Sequence, residues 1–511
     1  MRRESYIRRE TLRLPLFLLL FGIVSVSMLV PAGHGFAVRD PDTGRAFLYA
    51  GLVGLVVFVM VAVAHSGRES QKSALGPLLS LFCAFVFLPI FMALPFVEVL
   101  PTTKFINAYI EMVSAFTTTG AAVFDDPSRL NPSLHLWRAQ VGWMGGLLMW
   151  IAAVAVLAPL NLGGFEVTAQ NEPGRRATAF TQMAEIEPRQ RILRSVRTLF
   201  PLYMALTLLQ WLLLMGSGVA PLTALVHAMS VMSTSGISNT GGAETAGAGF
   251  GGELVMFIFM AFALSRLTFS KDTITGTHSA LRNDPEFRIG LAIVAGVPLV
   301  LFARHWLGAY AVAAENPLDE AFGALWGALF TVMSFLSTTG FVSEFWGQSQ
   351  NWSGLGTPGL ILMGLALIGG GVATTAGGVK LLRVFALYRN GVRDMDQLVH
   401  PHAVSGAGVA GRRLQSNGAF IAWIFFMLLA ISMAVITLAL ASVGVSFENA
   451  LVMAVASLST TGPLIQYAAE DPIRLLDLAP AAKAIFCAAM VLGRLETLAI
   501  IALLTPDLWR A

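Results

Sequence analysis

Long apolar segments alternate along the chain with short polar connections. Ten apolar runs are each about 20 residues long, which is the length at which a helix crosses the hydrocarbon core of a bilayer. The pattern therefore predicts an all-α polytopic membrane protein. The predicted spans lie near 14–31, 46–65, 75–97, 137–160, 196–216, 252–270, 288–307, 356–379, 418–443 and 482–505.

Four shorter apolar stretches lie between pairs of these spans. At roughly 14–18 residues they are too short for a full crossing. Helices of this length enter a membrane halfway, which is allowed where protein or water surrounds their ends. The half-membrane helices are predicted near 104–117, 221–234, 320–337 and 447–459.

Composition agrees with a membrane location. Hydrophobic residues make up 56% of the chain and charged residues 12%, whereas soluble domains average about 25% charged residues. The cysteines, Cys83 and Cys487, both lie in apolar runs, so neither a disulfide framework nor a zinc site is indicated. We expect membrane lipid, and no nucleic acid, around this chain.

The distribution of lysine and arginine predicts the topology. The N-terminal "MRRESYIRRETLR" is basic and has no cleavage pattern after it, which indicates a retained first helix with a cytoplasmic N-terminus. The half-membrane helices then all enter from the outer side. The predicted inner segments 66–74, 161–195, 271–288 and 380–416 are basic, whereas the outer segments 121–136, 237–251 and 341–355 contain Arg129 as their one basic residue.

A fourfold internal repeat follows the half-membrane helices. Each of these helices ends in a hydroxyl-rich window that closes with glycine, and each window is followed by a long span. One such window is typical of a capped helix end, but four in the same topological position favour a shared function. The windows are "SAFTTTG" (114–120), "SVMSTSG" (230–236), "SFLSTTG" (334–340) and "ASLSTTG" (456–462).

The repeat predicts a domain organisation. Two N-terminal transmembrane helices precede four pseudo-symmetric units around one pore, each consisting of a span, a half-membrane helix, a window and a second span. The predicted bounds are 1–70 for the N-terminal helices and 71–170, 190–272, 285–395 and 415–511 for pore units one to four, the third of which includes an intramembrane gating loop.

The windows have the chemistry of a cation filter. A helix C-terminus carries about half a negative charge, glycine lets the backbone turn its carbonyls inward, and rings of carbonyls replace the hydration shell of potassium. Threonine and serine hydroxyls would support the turns or add ligands. The predicted potassium-binding residues are Thr118, Thr119, Gly120, Thr234, Ser235, Gly236, Thr338, Thr339, Gly340, Thr460, Thr461 and Gly462. His227, on the second half-membrane helix, is expected to be packed and hydrogen-bonded; the alternative is a proton-coupling group.

A glycine-rich segment, "GGGVATTAGGVK" (369–380), interrupts the span 356–379. Since glycine costs a helix interior about 1 kcal/mol each, the segment predicts an unwound, mobile loop lining the inner half of a pore. The alternative is close helix packing through small residues. The candidate gate residues are Gly369, Gly370, Gly371, Thr374, Thr375, Gly377, Gly378 and Lys380, together with Arg494 of the last span.

Arg494 stands in the middle of an apolar span. A charge at the bilayer centre costs about 2.5–3.5 kcal/mol on insertion scales, so this side chain should face the protein interior. Glu496 is a poor partner, because residues two apart point in different directions on a helix. We expect Arg494 to contact carbonyls of the loop 369–378 and to repel cations in a closed state.

These motifs resemble the Trk/Ktr/HKT superfamily of potassium transporters, and most closely its TrkH branch of bacterial membrane subunits. The resemblance covers nearly the whole chain. Besides the first window and the glycine-rich loop, it is carried by "LWRAQVGWMGG" (136–146), "NDPEFR" (283–288), "QLVHPHAV" (397–404) and "LGRLETLAIIALLTPDLW" (492–509).

The resemblance implies potassium uptake at the bacterial inner membrane by a homodimer in which each protomer has its own pore. It implies that the loop and Arg494 act as the gate, and that a TrkA-like cytoplasmic partner binds the nucleotide, since this chain has no G-x-G-x-x-G within a strand–helix unit of the Rossmann kind. In plant relatives a serine at the first filter glycine accompanies sodium transport, so Gly120 favours potassium. The chain departs from the family in its loop, where Ala373, Thr374 and Ala376 stand among the glycines.

Two other functions are alternatives to a pore. A secondary carrier that couples potassium to protons or sodium is the alternative within transport, but carriers usually show inverted or half-to-half repeats. An intramembrane enzyme would need a partnered nucleophile or a metal cluster, and the windows provide hydroxyls without a base. The sequence therefore favours a transporter that is not an enzyme.

Overall fold

The protein is helical throughout the part that the structure, a computed structural model, describes. Described are residues 14–65, 76–160, 162, 164, 188–265, 284–308, 317–400 and 418–496, and these ranges contain no strand. The α-helices are α1 (Leu16–Ser27), α2 (Leu29–Ala37), α3 (Pro41–His65), α4 (Gly76–Met92), α5 (Leu94–Val99), α6 (Phe105–Phe116), α7 (Pro132–Ala152), α8 (Pro188–Gly216), α9 (Pro221–Ser233), α10 (Gly249–Met260), α11 (Pro285–Gly308), α12 (Pro317–Leu336), α13 (Trp346–Ser353), α14 (Gly359–Ile368), α15 (Leu381–Val399), α16 (Gly418–Ser442), α17 (Phe447–Leu458), α18 (Leu464–Tyr467) and α19 (Pro480–Leu495).

Seven helical segments within the described ranges are long and apolar enough to cross a membrane. Their lipid-facing character is clearest on α3, where Val53, Met60 and Val63 are more than half exposed. The chain is thus a multi-pass membrane protein. The seven are 16–37, 41–65, 76–99, 132–160, 189–216, 285–304 and 418–442.

Seven of the ten predicted full-length spans are therefore found as long apolar helices in the described residues. The other three predicted spans are the shorter helices α10, α14 and α19. The break in α14 has a physical cause: its helix stops at Ile368, where the glycine-rich segment begins. The remainders of the other two, 266–270 and 497–505, lie outside the described residues.

The four predicted half-membrane helices are present as separate helices at the predicted places; three have 12 or 13 residues, and the third has 20. They are α6, α9, α12 and α17, and each ends within two residues of its predicted limit. Each stops inside its hydroxyl-rich window, at the third or fourth residue.

The N-terminal helices pack on the first unit. His34 Nδ1 lies 2.8 Å from Ser133 Oγ of α7, and Gln140 Nε2 donates to the Ser27 carbonyl at 2.8 Å. Phe47 packs edge-on against Trp137, with ring centroids 5.6 Å apart.

The division into units remains a prediction. Its limit at 285 coincides with the start of α11, whereas 395 falls inside α15, which continues to Val399. The limits at 70, 71, 170, 272 and 415 lie outside the described residues. So do several of the basic residues that support the topology prediction, namely Arg68, Lys72, Arg175, Arg176, Lys271, Arg282, Arg412 and Arg413.

Candidate functional site

All four windows have a threonine in the left-handed backbone conformation, two residues before the glycine. This conformation is a genuine outlier for a β-branched residue and costs on the order of 1–3 kcal/mol each. Strain repeated at four equivalent positions indicates a functional constraint. The residues are Thr118 (φ 55°), Thr234 (φ 51°), Thr338 (φ 60°) and Thr460 (φ 53°).

The sequence carried this signal, because the position is threonine in all four windows. The sequence interpretation emphasised the glycines instead. The residue after the left-handed threonine donates its amide to the carbonyl of the first residue of the window. This hydrogen bond closes each turn in the pattern of a Schellman cap. The bonds are Thr119 to Ser114 (2.9 Å), Ser235 to Ser230 (3.0 Å), Thr339 to Ser334 (2.9 Å) and Thr461 to Ala456 (2.8 Å).

Hydroxyls within the windows hydrogen-bond to each other. Thr119 Oγ1 lies 2.8 Å from Thr117 Oγ1, and Thr339 Oγ1 lies 2.9 Å from Ser337 Oγ. Ser233 Oγ donates to Ser235 Oγ at 3.0 Å. Of the two roles predicted for the hydroxyls, the geometry favours support of the turn for Thr119, Ser235 and Thr339.

The four windows meet in a closed ring that follows their order in the chain. A Cβ atom added to Gly120 would overlap the carbonyl oxygen of Ser235, and one added to Gly236 would overlap that of Thr339. One added to Gly462 would lie 2.6 Å from the carbonyl oxygen of Thr119. Window one thus touches window two, two touches three, and four touches one.

The step from window three to window four is filled by Pro463, a residue that the sequence interpretation missed. A Cβ atom on Gly340 would lie 2.8 Å from Pro463 Cγ, and one on Gly236 would lie 2.7 Å from the same atom, so the proline contacts windows two and three alike. The fourth window differs further, since Gly120, Gly236 and Gly340 have positive φ and Gly462 does not. Its amide donates instead to the Thr119 carbonyl at 2.6 Å.

Cavities lie on both sides of this ring. The first is open to solvent and is lined by all four window glycines and by Asp125, Gln466 and Tyr467, among others. There the Tyr467 hydroxyl donates to Glu244 Oε1 at 2.9 Å, and burial raises the pKa of Glu244 above its usual value. The second cavity, of about 390 Å³, is lined by Thr460 and by the glycine-rich loop with Lys380, Arg494 and Glu496.

The glycine-rich segment is unwound, as predicted, so that close packing of a continuous helix is excluded. Residues 369–380 contain no helix, and Gly369, Ala373, Gly378 and Lys380 have positive φ. The loop returns close to its starting point, since a Cβ atom on Gly369 would lie 2.8 Å from the Gly378 Cα.

The loop packs directly under the ring. Gly377 donates its amide to Thr338 Oγ1 at 2.8 Å, and Thr375 Oγ1 donates to the Met232 carbonyl at 3.2 Å. A Cβ atom on Gly377 would overlap the carbonyl oxygen of Ser459. The loop therefore contacts the ends of the second, third and fourth half-membrane helices.

Arg494 makes the contact expected from the sequence. Its Nη1 donates to the Thr375 carbonyl at 2.9 Å, while its Nε and Nη2 are buried without a hydrogen-bond partner among the described residues. Lys380 donates from Nζ to the Ala376 carbonyl of the same loop. Two cationic side chains thus lie beside the loop.

Buried carboxylates anchor the two ends of the loop, which sequence analysis did not foresee. Val372 donates its amide to Glu286 Oε1 at 3.1 Å. Arg383 donates from Nη2 to Glu496 Oε2 at 2.7 Å and lies 3.6 Å over the ring of Phe425. Glu496 therefore pairs with Arg383 and not with Arg494.

His227 is buried, as expected, and its Nε2 lies 2.9 Å from Ser238 Oγ. Among the described residues, no group of three or more His, Cys, Asp or Glu side chains could hold a metal ion.

Comparisons with known proteins agree with this architecture. A family model described as "TrkH: Cation transport protein" matches residues 323–508. The chain is 27% identical over 498 residues to the Trk system potassium uptake protein TrkH of Salmonella typhimurium, and this match covers 96% of the chain and 98% of the relative. It is 28% identical over 424 residues to TrkI of Halomonas elongata, covering 82% and 81%.

The fold matches a solved structure. The crystal structure of the potassium transporter TrkH from Vibrio parahaemolyticus superposes with a TM-score of 0.80 at 26% identity, covering 98% of this chain and 99% of that one. These matches confirm the resemblance inferred from the sequence over almost the whole chain.

Proposed function

We propose that this chain, a TrkH-like protein of the Trk/Ktr/HKT superfamily, takes up potassium across the bacterial cytoplasmic membrane. The relatives that it matches over 96% of its length are potassium uptake proteins by name. The observation that carries the proposal is the closed ring of four windows at the ends of four half-membrane helices. Four helix C-termini directed at one place create a negative potential without a fixed carboxylate.

The ring is the selectivity filter in this proposal. Its ligands are the backbone carbonyls of the residues named from the sequence, from Thr118–Gly120 in window one to Thr460–Gly462 in window four. Such carbonyls replace the hydration shell of potassium. The cavity lined by the window glycines is the outer vestibule, and the cavity under the ring is the inner one.

The loop 369–380, together with Arg494, is the gate. It lies across the inner side of the ring, where it contacts three windows or their helices. A buried cationic guanidinium at this place opposes the passage of a cation. Opening would require the loop to leave Thr338 and the Thr375–Arg494 contact to break.

The assembly follows from the resemblance. We infer a homodimer with one pore in each protomer, a cytoplasmic N-terminus and a TrkA-like cytoplasmic partner that binds the nucleotide. The partner would act on the inner side, where the loop lies. The chain itself requires potassium as its cargo and carries out no enzymatic reaction.

Potassium and sodium flux into proteoliposomes containing the purified chain tests the proposal. We expect passive potassium flux down its gradient, with sodium flux clearly lower. Equal flux of both ions would contradict a potassium filter. Accumulation of potassium against its gradient, driven by an imposed proton or sodium gradient, would instead support the coupled carrier.

A further inference from the structure

One position behind each window recurs in the structure with a common contact. It lies on the half-membrane helix nine residues before the window glycine (120 − 111, 236 − 227, 340 − 331 and 462 − 453). The four side chains are chemically different, and all are buried. They are Glu111, His227, Thr331 and Met453.

In the first unit this side chain holds the backbone that leaves the window. The amide of Val123, three residues after the glycine, donates to Glu111 Oε2 at 2.7 Å. The other carboxylate oxygen, Oε1, accepts from Arg138 Nε at 2.5 Å. The carboxylate thus connects the half-membrane helix, the departing segment and α7.

The second and third units make the equivalent contact with other side chains. His227 Nε2 hydrogen-bonds to the hydroxyl of Ser238, two residues after its glycine, at 2.9 Å. The amide of Ser343, three residues after its glycine, donates to Thr331 Oγ1 at 3.3 Å. In all three units a polar side chain at the same position thus hydrogen-bonds to the segment after the window, to a backbone amide in the first and third units and to a side-chain hydroxyl in the second.

The fourth unit lacks the polar group, because Met453 has no strong donor or acceptor. Its departing segment continues into α18, and Ile473 donates its amide to the Ile465 carbonyl at 2.9 Å. Backbone hydrogen bonds in this unit take the place of the side-chain contact. Met453 therefore provides an internal control.

We propose that Glu111, His227 and Thr331 are positioning residues that hold the segment after each window and so fix the spacing of the window carbonyls. Carbonyl spacing in turn sets the preference for potassium over sodium. The link to ion preference rests on the proposed function, whereas the link to backbone position does not. None of these side chains needs to touch the ion.

Paired substitutions separate this role from simple packing. If only packing mattered at this buried position, Thr331→Val would disturb the protein less than Thr331→Ser, because valine keeps the volume of threonine whereas serine loses a methyl group. A positioning hydrogen bond favours the serine, which keeps the hydroxyl. His227→Leu and His227→Gln form the same kind of pair, because leucine removes the hydrogen-bonding group and glutamine keeps one.

The experiment measures the potassium-to-sodium flux ratio in proteoliposomes for these four variants and for Met453→Leu. Amide hydrogen exchange of peptides covering 237–240 and 341–345 is measured on the same preparations. We expect Thr331→Val and His227→Leu to lower the ratio about fivefold, the factor that corresponds to one ordinary hydrogen bond. Thr331→Ser, His227→Gln and Met453→Leu should stay close to the wild type.

The proposal is overturned if the potassium-to-sodium flux ratio depends on the volume of the substituted side chain and not on its hydrogen-bonding group. It is also overturned if no variant changes the ratio. If the wild type itself shows no preference for potassium, the proposed function fails, and the exchange data then decide on the positioning role alone. Faster exchange in Thr331→Val than in Thr331→Ser would support it. Equal exchange in the two would overturn it.

Discussion

The Nη1 atom of Arg494 donates a hydrogen bond to the Thr375 carbonyl at 2.9 Å, joining the last helix to the tip of the intramembrane loop. Arg494 is 3% exposed, and two of its guanidinium nitrogens have no hydrogen-bond partner among the described residues. A buried cation that is incompletely compensated is costly, so its retention under the ring indicates a functional role.

Replacing Arg494 by alanine is expected to raise basal potassium flux. The change removes both the positive charge and the contact that holds Thr375. Flux into proteoliposomes without a partner protein is the measurement, and Arg494→Lys, which keeps the charge, is the control that should remain closer to the wild type. Unchanged or lower flux in Arg494→Ala would count against the gate assignment.

A second prediction concerns Gly120. A side chain here would overlap the carbonyl oxygen of Ser235 in the neighbouring window, and φ is +72°. We expect Gly120→Ser to lower the potassium-to-sodium flux ratio by about tenfold, which corresponds to about 1.4 kcal/mol. Gly347→Ser, at a helical glycine with nothing within 4 Å of an added Cβ atom, should leave the ratio unchanged. An unaltered ratio in Gly120→Ser would show that this window is not part of the filter.

Segment lengths and repetition made much of this architecture predictable. Apolar stretches too short to span the bilayer predicted the helices α6, α9, α12 and α17, and the repeated windows predicted where these helices end. Glycine composition identified the unwound loop. These features depend on residues close together in the chain.

The features that were missed depend on contacts between distant residues. Glu111 and Arg138 are 27 residues apart, and Arg383 and Glu496 are 113 apart; neither pair has a local pattern. Pro463 follows one window out of four, so the repeat drew attention away from it. The hydrogen bond from the Gly377 amide to Thr338 could not be foreseen because the path of an unwound loop is set by its surroundings.

A third prediction concerns stability. Glu111 and Arg138 form a buried ion pair, with side chains 3% and 4% exposed. Removing one partner of such a pair costs about 3–5 kcal/mol, because the other charge is left uncompensated. Glu111→Gln should therefore lower the thermal unfolding midpoint in detergent markedly. A Glu111→Gln/Arg138→Met double variant buries no unpaired charge and keeps an amide oxygen that can accept from Val123, so it should be less destabilised than Glu111→Gln alone; a greater loss in the double variant would contradict the pair's assigned role.

The last prediction tests whether the ring holds the gate. Thr338 Oγ1 accepts the Gly377 amide at 2.8 Å, whereas Thr234 Oγ1, at the equivalent place in window two, donates to the Ser233 carbonyl at 2.7 Å. Thr338→Val keeps the shape and removes the acceptor, so the buried Gly377 amide loses its partner at a cost of about 1–3 kcal/mol. Because that cost falls on the docked loop, we expect basal potassium flux to rise several-fold. Thr234→Val bears the same backbone strain without a loop contact and should not raise flux; an equal rise in both variants would mean that altered windows, and not a released loop, account for the effect.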